Sequence, residues 1–179
     1  MALTATIYNF SIQLADVDRN VYENLELRVA RHPSETPEYL LTRVLAYCLE
    51  YCEGIELTEG VSATDEPAVL VRDLTGRITK WIEVGAPDAE RVHRGSKLAG
   101  RAAIYTHRDP GQLLAQLADR KIHQAAQIPI YVLGRDFVLE ASKHLERRNK
   151  LSISMTERHL YLEVNGHASG NAIEELRLG

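Results

Sequence analysis

The chain has 179 residues, 45 % of them hydrophobic, with 21 Lys and Arg against 25 Asp and Glu and a formal net charge of −4. That length fits one domain over residues 1–179 with a real core. The acidic balance excludes a protein whose whole surface is a nucleic-acid footprint, so any such contact must use a local basic patch.

The N-terminal MALTATIYNFSIQLADVDRN lacks the basic start and apolar block of a signal peptide, and no run approaches the ~20 apolar residues of a membrane-spanning helix. Over 3–14 and again over 21–29 the apolar residues alternate about a polar link at 15–20, which predicts two antiparallel strands. Thr36-Pro37 is an N-cap followed by proline at the first helical position. Leu40, Leu41, Val44, Leu45, Cys48 and Leu49 then share one face, so the spacing predicts an amphipathic helix over 37–53, stopped by Gly54. The two cysteines, Cys48 and Cys52, sit on that face as a buried, reduced pair, too few to ligate zinc, and point to a cytosolic protein.

A short extended piece at 55–57 and a polar link at 59–64 lead to two strands, 67–72 and 78–84, around the turn Leu74-Thr75-Gly76. A helix over 88–98, a strand over 102–106, a helix over 112–121, a strand over 128–133 and a helix over 137–147 follow. Strand, helix, strand in this order predicts right-handed parallel crossovers. The tail LSISMTERHLYLEVNG alternates on both sides of Thr156-Glu157-Arg158 as a closing hairpin, and 170–179 is assigned a short last helix or a frayed end. Antiparallel strands first and strand–helix alternation afterwards predict an α/β or α+β domain, a mixed β-sheet with flanking helices.

The segment DEPAVLVRDLTGRITKWIEVG, residues 65–85, concentrates the chemistry. In a tight hairpin Asp73 lies about five residues, roughly 16 Å at ~3.3 Å per residue, from Glu83. Those two acids therefore do not share one ion. The residues near Glu83 are Asp65, Glu66 and Ala68, with Glu66 on the face of Glu83 if the loop is even-numbered and Asp65 if it is odd. Glu83 also interrupts the apolar run of its strand. Carboxylates that meet there repel unless a cation intervenes, and Mg²⁺ is commonly held by one or two carboxylates and several waters. The plainer reading is solvated charge at strand ends.

Glu35 stands at the mouth of the first long helix, where the helix dipole favours a carboxylate. Arg91, Arg94 and Lys97 recur at helical spacing just after the Glu83 strand, a candidate cationic stripe for phosphate or simply a charged surface helix. The cluster Lys143, Arg147, Arg148 and Lys150 reads as solvated surface.

Three signatures now stand in order: Arg31-His32-Pro33-Ser34-Glu35-Thr36, Asp65-Glu66-Pro67, and Trp81-Ile82-Glu83-Val84-Gly85 followed by Pro87-Asp88. With the start MALTATIY and the run RNVYENLELRVARHPSET, they resemble the YaeQ family of small bacterial proteins over essentially the whole chain. The resemblance implies a variant of the PD-(D/E)xK fold of restriction endonucleases. By it, Asp65 or Glu66 takes the place of the first acid, Glu83 that of the second, and Glu35 that of the accompanying helix acid. Two departures stand out. The first acid precedes its proline, and the lysine slot two residues past Glu83 holds Gly85, so the lysine's work would pass to Arg91, Arg94 or Lys97. Of these only Lys97 keeps the lysine's chemistry, since an arginine does not give up a proton at ordinary pH.

Two functional expectations follow. In the first the chain is a Mg²⁺-dependent phosphodiesterase acting on nucleic acid, with Mn²⁺ as a substitute metal. Asp65, Glu66 and Glu83 would hold the metal, Glu35 would assist, and Lys97 or an arginine of its helix would stabilise developing charge. In the second it is a non-catalytic binder of nucleic acid or of a protein partner on a nuclease-derived scaffold, in a transcription-related role. A small-molecule phosphate hydrolase is a third, marked by a closed pocket. The surface shows no long apolar stripe, which predicts a monomer.

Overall fold

A computed structural model describes residues 4–59 and 65–178. Among these, eleven strands and four α-helices build two mixed sheets. β1 (Thr6–Asp16) and β2 (Val21–Arg31) are the predicted antiparallel pair. Their buried residues alternate: Phe10, Ile12 and Leu14 on β1, Leu25 and Val29 on β2. β8 (Arg148–Thr156) runs parallel to β1, and β9 (His159–Val164) and β10 (His167–Ala172) continue outward, for the order β10-β9-β8-β1-β2.

The second sheet is assembled from β3 (Ile55–Leu57), β4 (Val69–Arg72), β5 (Ile78–Val84), β6 (Arg101–Thr106), β7 (Pro129–Val132) and β11 (Glu174–Arg177), in the order β11-β7-β6-β5-β4-β3. β5, β6 and β7 are parallel neighbours, connected through α2 (Ala89–Leu98) and α3 (Pro110–Ala118), as strand–helix alternation requires. α1 (Pro37–Leu49) is buried on almost every side, because one apolar cluster joins it to Phe10, Ile12 and Leu151 of the first sheet and to Val69, Ile82 and Tyr105 of the second. A second cluster, Trp81, Val92, Ile104, Leu113, Leu117 and Ile130, packs α2 and α3 on the other face of the second sheet.

The structure departs from the sequence reading in several places. Instead of one mixed sheet there are two, separated by α1. α1 ends at Leu49, four residues early, where Arg19 reaches across to bond the carbonyls of Cys48 and Tyr51 and so takes up C-terminal acceptors. Cys52 therefore lies beyond the helix and is half-buried, while Cys48 stays in the core, and both are free thiols. The helix expected at 137–147 is α4 (Arg135–Ser142), because the Asn149 side chain bonds both the amide and the carbonyl of Glu146 and turns the chain into β8. Residues 170–179 form no helix among the described residues: the chain pairs as β10 and β11, two exposed strands with little apolar alternation to reveal them. Most of the polar link at 59–64, the first residue of the strand expected over 3–14, and Gly179 lie outside the described residues.

Candidate functional site

The hairpin holds as expected. Val69 is opposite Ile82, which puts Ala68 opposite Glu83, with a bulge between Val71 and Arg72. Asp73 spends its carboxylate on its own turn: the bond from the Thr75 hydroxyl, and after it those from the amides of Arg77 and Thr75, hold its pKa below the usual value. It belongs to the turn and not to the Glu83 end.

The even-numbered parity gives Glu66 the phase of Glu83, yet the two carboxylates do not converge. The Glu66 carboxylate is 3.8 Å from Arg72 Nη2 and half-exposed, and Asp65 is exposed. Glu83, 3 % exposed, is instead met by Arg91. Arg91 Nε donates to Glu83 Oε2 at 2.9 Å and Nη2 to Oε1 at 3.2 Å, a two-point fork, and Nη2 also bonds the Glu66 carbonyl. The Glu83 hydrogen bond raises the Arg91 pKa further above its ordinary value.

The seating of α2 explains why this arginine is the one. Trp81 and Glu83 share a face of β5, two residues apart, while Gly95 and Arg91 share a face of α2, one turn apart. A Cβ on Gly95 would fall 2.4 Å from the Trp81 ring, so only glycine lets the helix rest on that indole. With Gly95 on Trp81, the antiparallel helix brings Arg91 over Glu83. Lys97, six residues or ~9 Å of rise beyond Arg91, is exposed on the solvent side of α2. Arg94 is likewise exposed, and it is engaged in an interaction of its own.

Glu35 follows the same pattern on the other side. It is 2 % exposed, and Arg43 Nη1 lies 2.9 and 2.8 Å from its two oxygens. Arg43, two turns into α1, is itself 1 % exposed; its Nη2 bonds the Thr58 carbonyl, and its Nε has no partner among the described residues. The loop ahead of α1 is braced by Arg31 Nε on the Glu35 carbonyl and by the Thr36 hydroxyl, which caps the Tyr39 amide.

Between the two acids lies an open cavity of about 430 Å³. Its lining includes Glu35, Tyr39, Glu83, Arg91, His107 and Arg108, together with Gly85 and its neighbours and with Ser34 and Thr36 ahead of α1. Burial pushes the Tyr39 phenol up to about 12, helped by Glu35 and Glu83 and opposed by Arg43 and Arg91, so this ring senses both ion pairs. His107 is 7 % exposed. The Thr42 hydroxyl gives its proton to the Glu38 carbonyl, so its 3.2 Å contact with His107 Nδ1 assigns that nitrogen as the donor. Burial, and then Arg108 and Arg135, lower the His107 pKa against the pull of Glu38, which keeps the imidazole neutral.

Gly85 gives the missing lysine a physical reason. Its φ is +86°, a left-handed conformation that L side chains rarely adopt, and a Cβ there would lie 3.3 Å from Tyr39 Cε2. Its amide bonds the Tyr105 carbonyl at 2.9 Å, fixing the turn that carries the chain from β5 toward α2. A side chain in that slot would be strained whatever its chemistry.

Residues 1–171 match the family of the YaeQ protein. The chain belongs to the YaeQ family. It is 32 % identical over 163 residues to the uncharacterized protein YaeQ of Escherichia coli K12, covering 90 % of each chain. It also resembles the crystal structure of the YaeQ protein of Pseudomonas syringae, at 30 % identity, with a TM-score of 0.85 and 96 % of each chain covered. The crystal structure of the YaeQ protein of Xanthomonas axonopodis pv. citri aligns with a TM-score of 0.87 at 25 % identity, over 98 % of this chain and 100 % of that one. No helix among the described residues is long and apolar enough to cross a membrane.

In this YaeQ chain, then, the fold brings Glu35, Glu83 and Arg91 to one cavity and leaves Asp65, the Glu66 carboxylate, Arg94 and Lys97 outside its lining. No three His, Cys, Asp or Glu side chains among the described residues converge as a metal would need. Sequence reasoning missed Arg43, Tyr39, His107 and Arg108. Arg43 did carry a signal, since a lone arginine inside YLLTRVLAYCL must find a buried partner; His107 and Arg108 reach the cavity only through the β6 crossover.

Proposed function

We propose that this YaeQ-family chain is a nucleic-acid-binding protein on a nuclease-derived scaffold, and that its cavity holds a backbone phosphate without cutting it. One observation carries the reading: both oxygens of Glu83 are held in the fork of Arg91 while the adjoining lysine slot is the left-handed Gly85. An arginine does not release a proton at ordinary pH, and glycine offers no group to activate water. What the cavity does present to a ligand is Arg91, Arg108, the Tyr39 phenol and the N-terminal turn of α1, a donor set suited to a phosphate oxygen. The formal charge of −4 fits a contact confined to such a patch.

A second reading, a Mg²⁺-dependent phosphodiesterase, is favoured by two buried carboxylates lining one cavity. The residues as arranged do not fit that ion. Glu83 is occupied by Arg91 and Glu35 by Arg43, while the half-exposed Glu66 carboxylate lies 3.8 Å from Arg72.

The test is calorimetric titration of Mg²⁺ and Mn²⁺ into the wild type and Glu83→Gln, with labelled single- and double-stranded DNA and RNA added to the same preparations. Binding of an oligonucleotide that weakens in Arg108→Ala, with no cleavage, is the expected result. Cleavage that vanishes in Glu83→Gln would establish the phosphodiesterase instead. Failure to bind any nucleic acid would sink the proposal and direct the search to a protein partner.

A further inference from the structure

β2 is an outermost strand of the first sheet, eleven residues long and without proline. Which of its backbone groups face outward follows from the bonding of β1. The Asn9 amide donates to the Arg147 carbonyl beside β8, so odd-numbered residues of β1 point their polar groups toward β8 and even-numbered ones toward β2. Through the register Phe10 to Leu27 and Ile12 to Leu25, the odd-numbered residues of β2 are the ones that bond β1. The N–H and C=O groups of Tyr22, Asn24, Glu26, Arg28 and Ala30 therefore face away from the sheet, and all five residues are exposed.

Along this edge, E-N-L-E-L-R-V-A-R from Glu23 to Arg31, the charges are complementary about the centre. Leu27 is its centre, flanked by Glu26 and Arg28, then Leu25 and Val29, then Glu23 and Arg31. We propose that two copies of this chain pair antiparallel through β2 about a twofold axis at Leu27, joining their five-stranded sheets into one.

In that register each Glu26 lies opposite Arg28 of the second copy, each Leu25 opposite Val29 and each Glu23 opposite Arg31, while the two Leu27 meet on the axis. The outward-facing residues supply the hydrogen-bonded pairs, Asn24 with Ala30 and Glu26 with Arg28, for roughly eight new backbone bonds. The neighbouring symmetric registers fail on charge: centring on Glu26 sets glutamate against glutamate, and centring on Arg28 sets arginine against arginine. Registers that shift the sum by one place outward groups against inward ones and make no ladder.

Charged residues on an edge ordinarily protect it from pairing. Here they are arranged so that a second copy of the strand sets each opposite its counter-charge, although Glu26 already accepts from the Ser11 hydroxyl at 2.9 Å within the chain. The pairing also reaches the cavity, because Arg31, which would receive Glu23 of the second copy, already braces the Glu35 carbonyl. This inference does not depend on what the cavity binds.

Sedimentation velocity on the wild type over the micromolar range is expected to show twice the 20.1 kDa chain mass. Arg28→Glu opposes like charges across the axis and should give monomer, and the double exchange Glu26→Arg with Arg28→Glu, which restores opposite charges, should recover the dimer. Ala30→Pro removes one outward N–H without touching the bonds to β1 and should also give monomer, with an unchanged circular dichroism spectrum. In Leu27→Cys the two thiols sit in a non-hydrogen-bonded pair with Cα atoms ~4.5 Å apart, close enough for a disulfide, so mild oxidation should link the dimer. A monomeric wild type throughout the range, or a dimer indifferent to both Arg28→Glu and Ala30→Pro, overturns the proposal.

Discussion

The molecule carries two glutamate–arginine pairs of the same chemistry, and their surroundings separate their roles. Glu35 and Arg43 are sealed, with side chains 0 % and 1 % exposed, whereas the Glu83 side chain is 4 % exposed but that of its partner Arg91, which lines the cavity, is 25 % exposed. A charge taken fully out of water must keep its partner, since the desolvation cost is recovered only through the pair. A pair open on one side can exchange a partner for a ligand. The first pair therefore fixes the wall of the cavity, and the second is where the phosphate proposed above would enter.

The sharpest way to break this comparison is Arg43→Ala, which strands the Glu35 carboxylate in the core. It should lower stability by ~3–5 kcal/mol in urea denaturation, and replacing both partners together by Leu and Met should recover most of that loss. Arg91→Ala should cost less, about 1–3 kcal/mol, because water can reach Glu83 through the cavity. The same variant frees both Glu83 oxygens, so Mn²⁺ titrated by calorimetry should bind it more tightly than the wild type. If Arg91→Ala proves as destabilising as Arg43→Ala, the two pairs are equally structural and the distinction fails.

Gly85→Ala comes next, at about 1–2 kcal/mol for an L side chain in the left-handed region. Gly85→Lys should be at least as unstable and should not create nuclease activity in a fluorogenic cleavage assay, because the strained slot aims its side chain at the Tyr39 ring. The smallest expected effect is a pH slope at His107. Its folded pKa lies below the unfolded value of ~6.5, so the folded state binds fewer protons. Stability is therefore full above the unfolded pKa and is lost as pH falls through the folded one. Thermal melts of His107→Asn against the wild type should show a shallower loss on acidification, and parallel curves would assign no part of the slope to this residue.

Much of the fold was legible because the signals were local. Alternation marked β1, β2, β8 and β9; Thr36-Pro37 marked the start of α1; and Asp88 marked that of α2, its carboxylate capping the Arg91 amide at 2.8 Å. The exposed strands β10 and β11 were not legible, since neither buries an alternating face. Nor was the division into two sheets, because it depends on α1 being covered from both sides.

Of the site, Glu83 was readable as an acid interrupting an apolar strand and Glu35 as a carboxylate at the mouth of a helix, and the hairpin's own geometry removed Asp73. The sequence by itself also determined that the position two residues past Glu83 holds Gly85 and not a lysine. Only the tertiary structure decided which cation answers each acid. That choice turns on packing at a distance along the chain: Gly95 lying flat on Trp81 sets the depth of α2 and brings Arg91, not Lys97, to Glu83, and the enclosure of α1 by both sheets forces Arg43 onto Glu35.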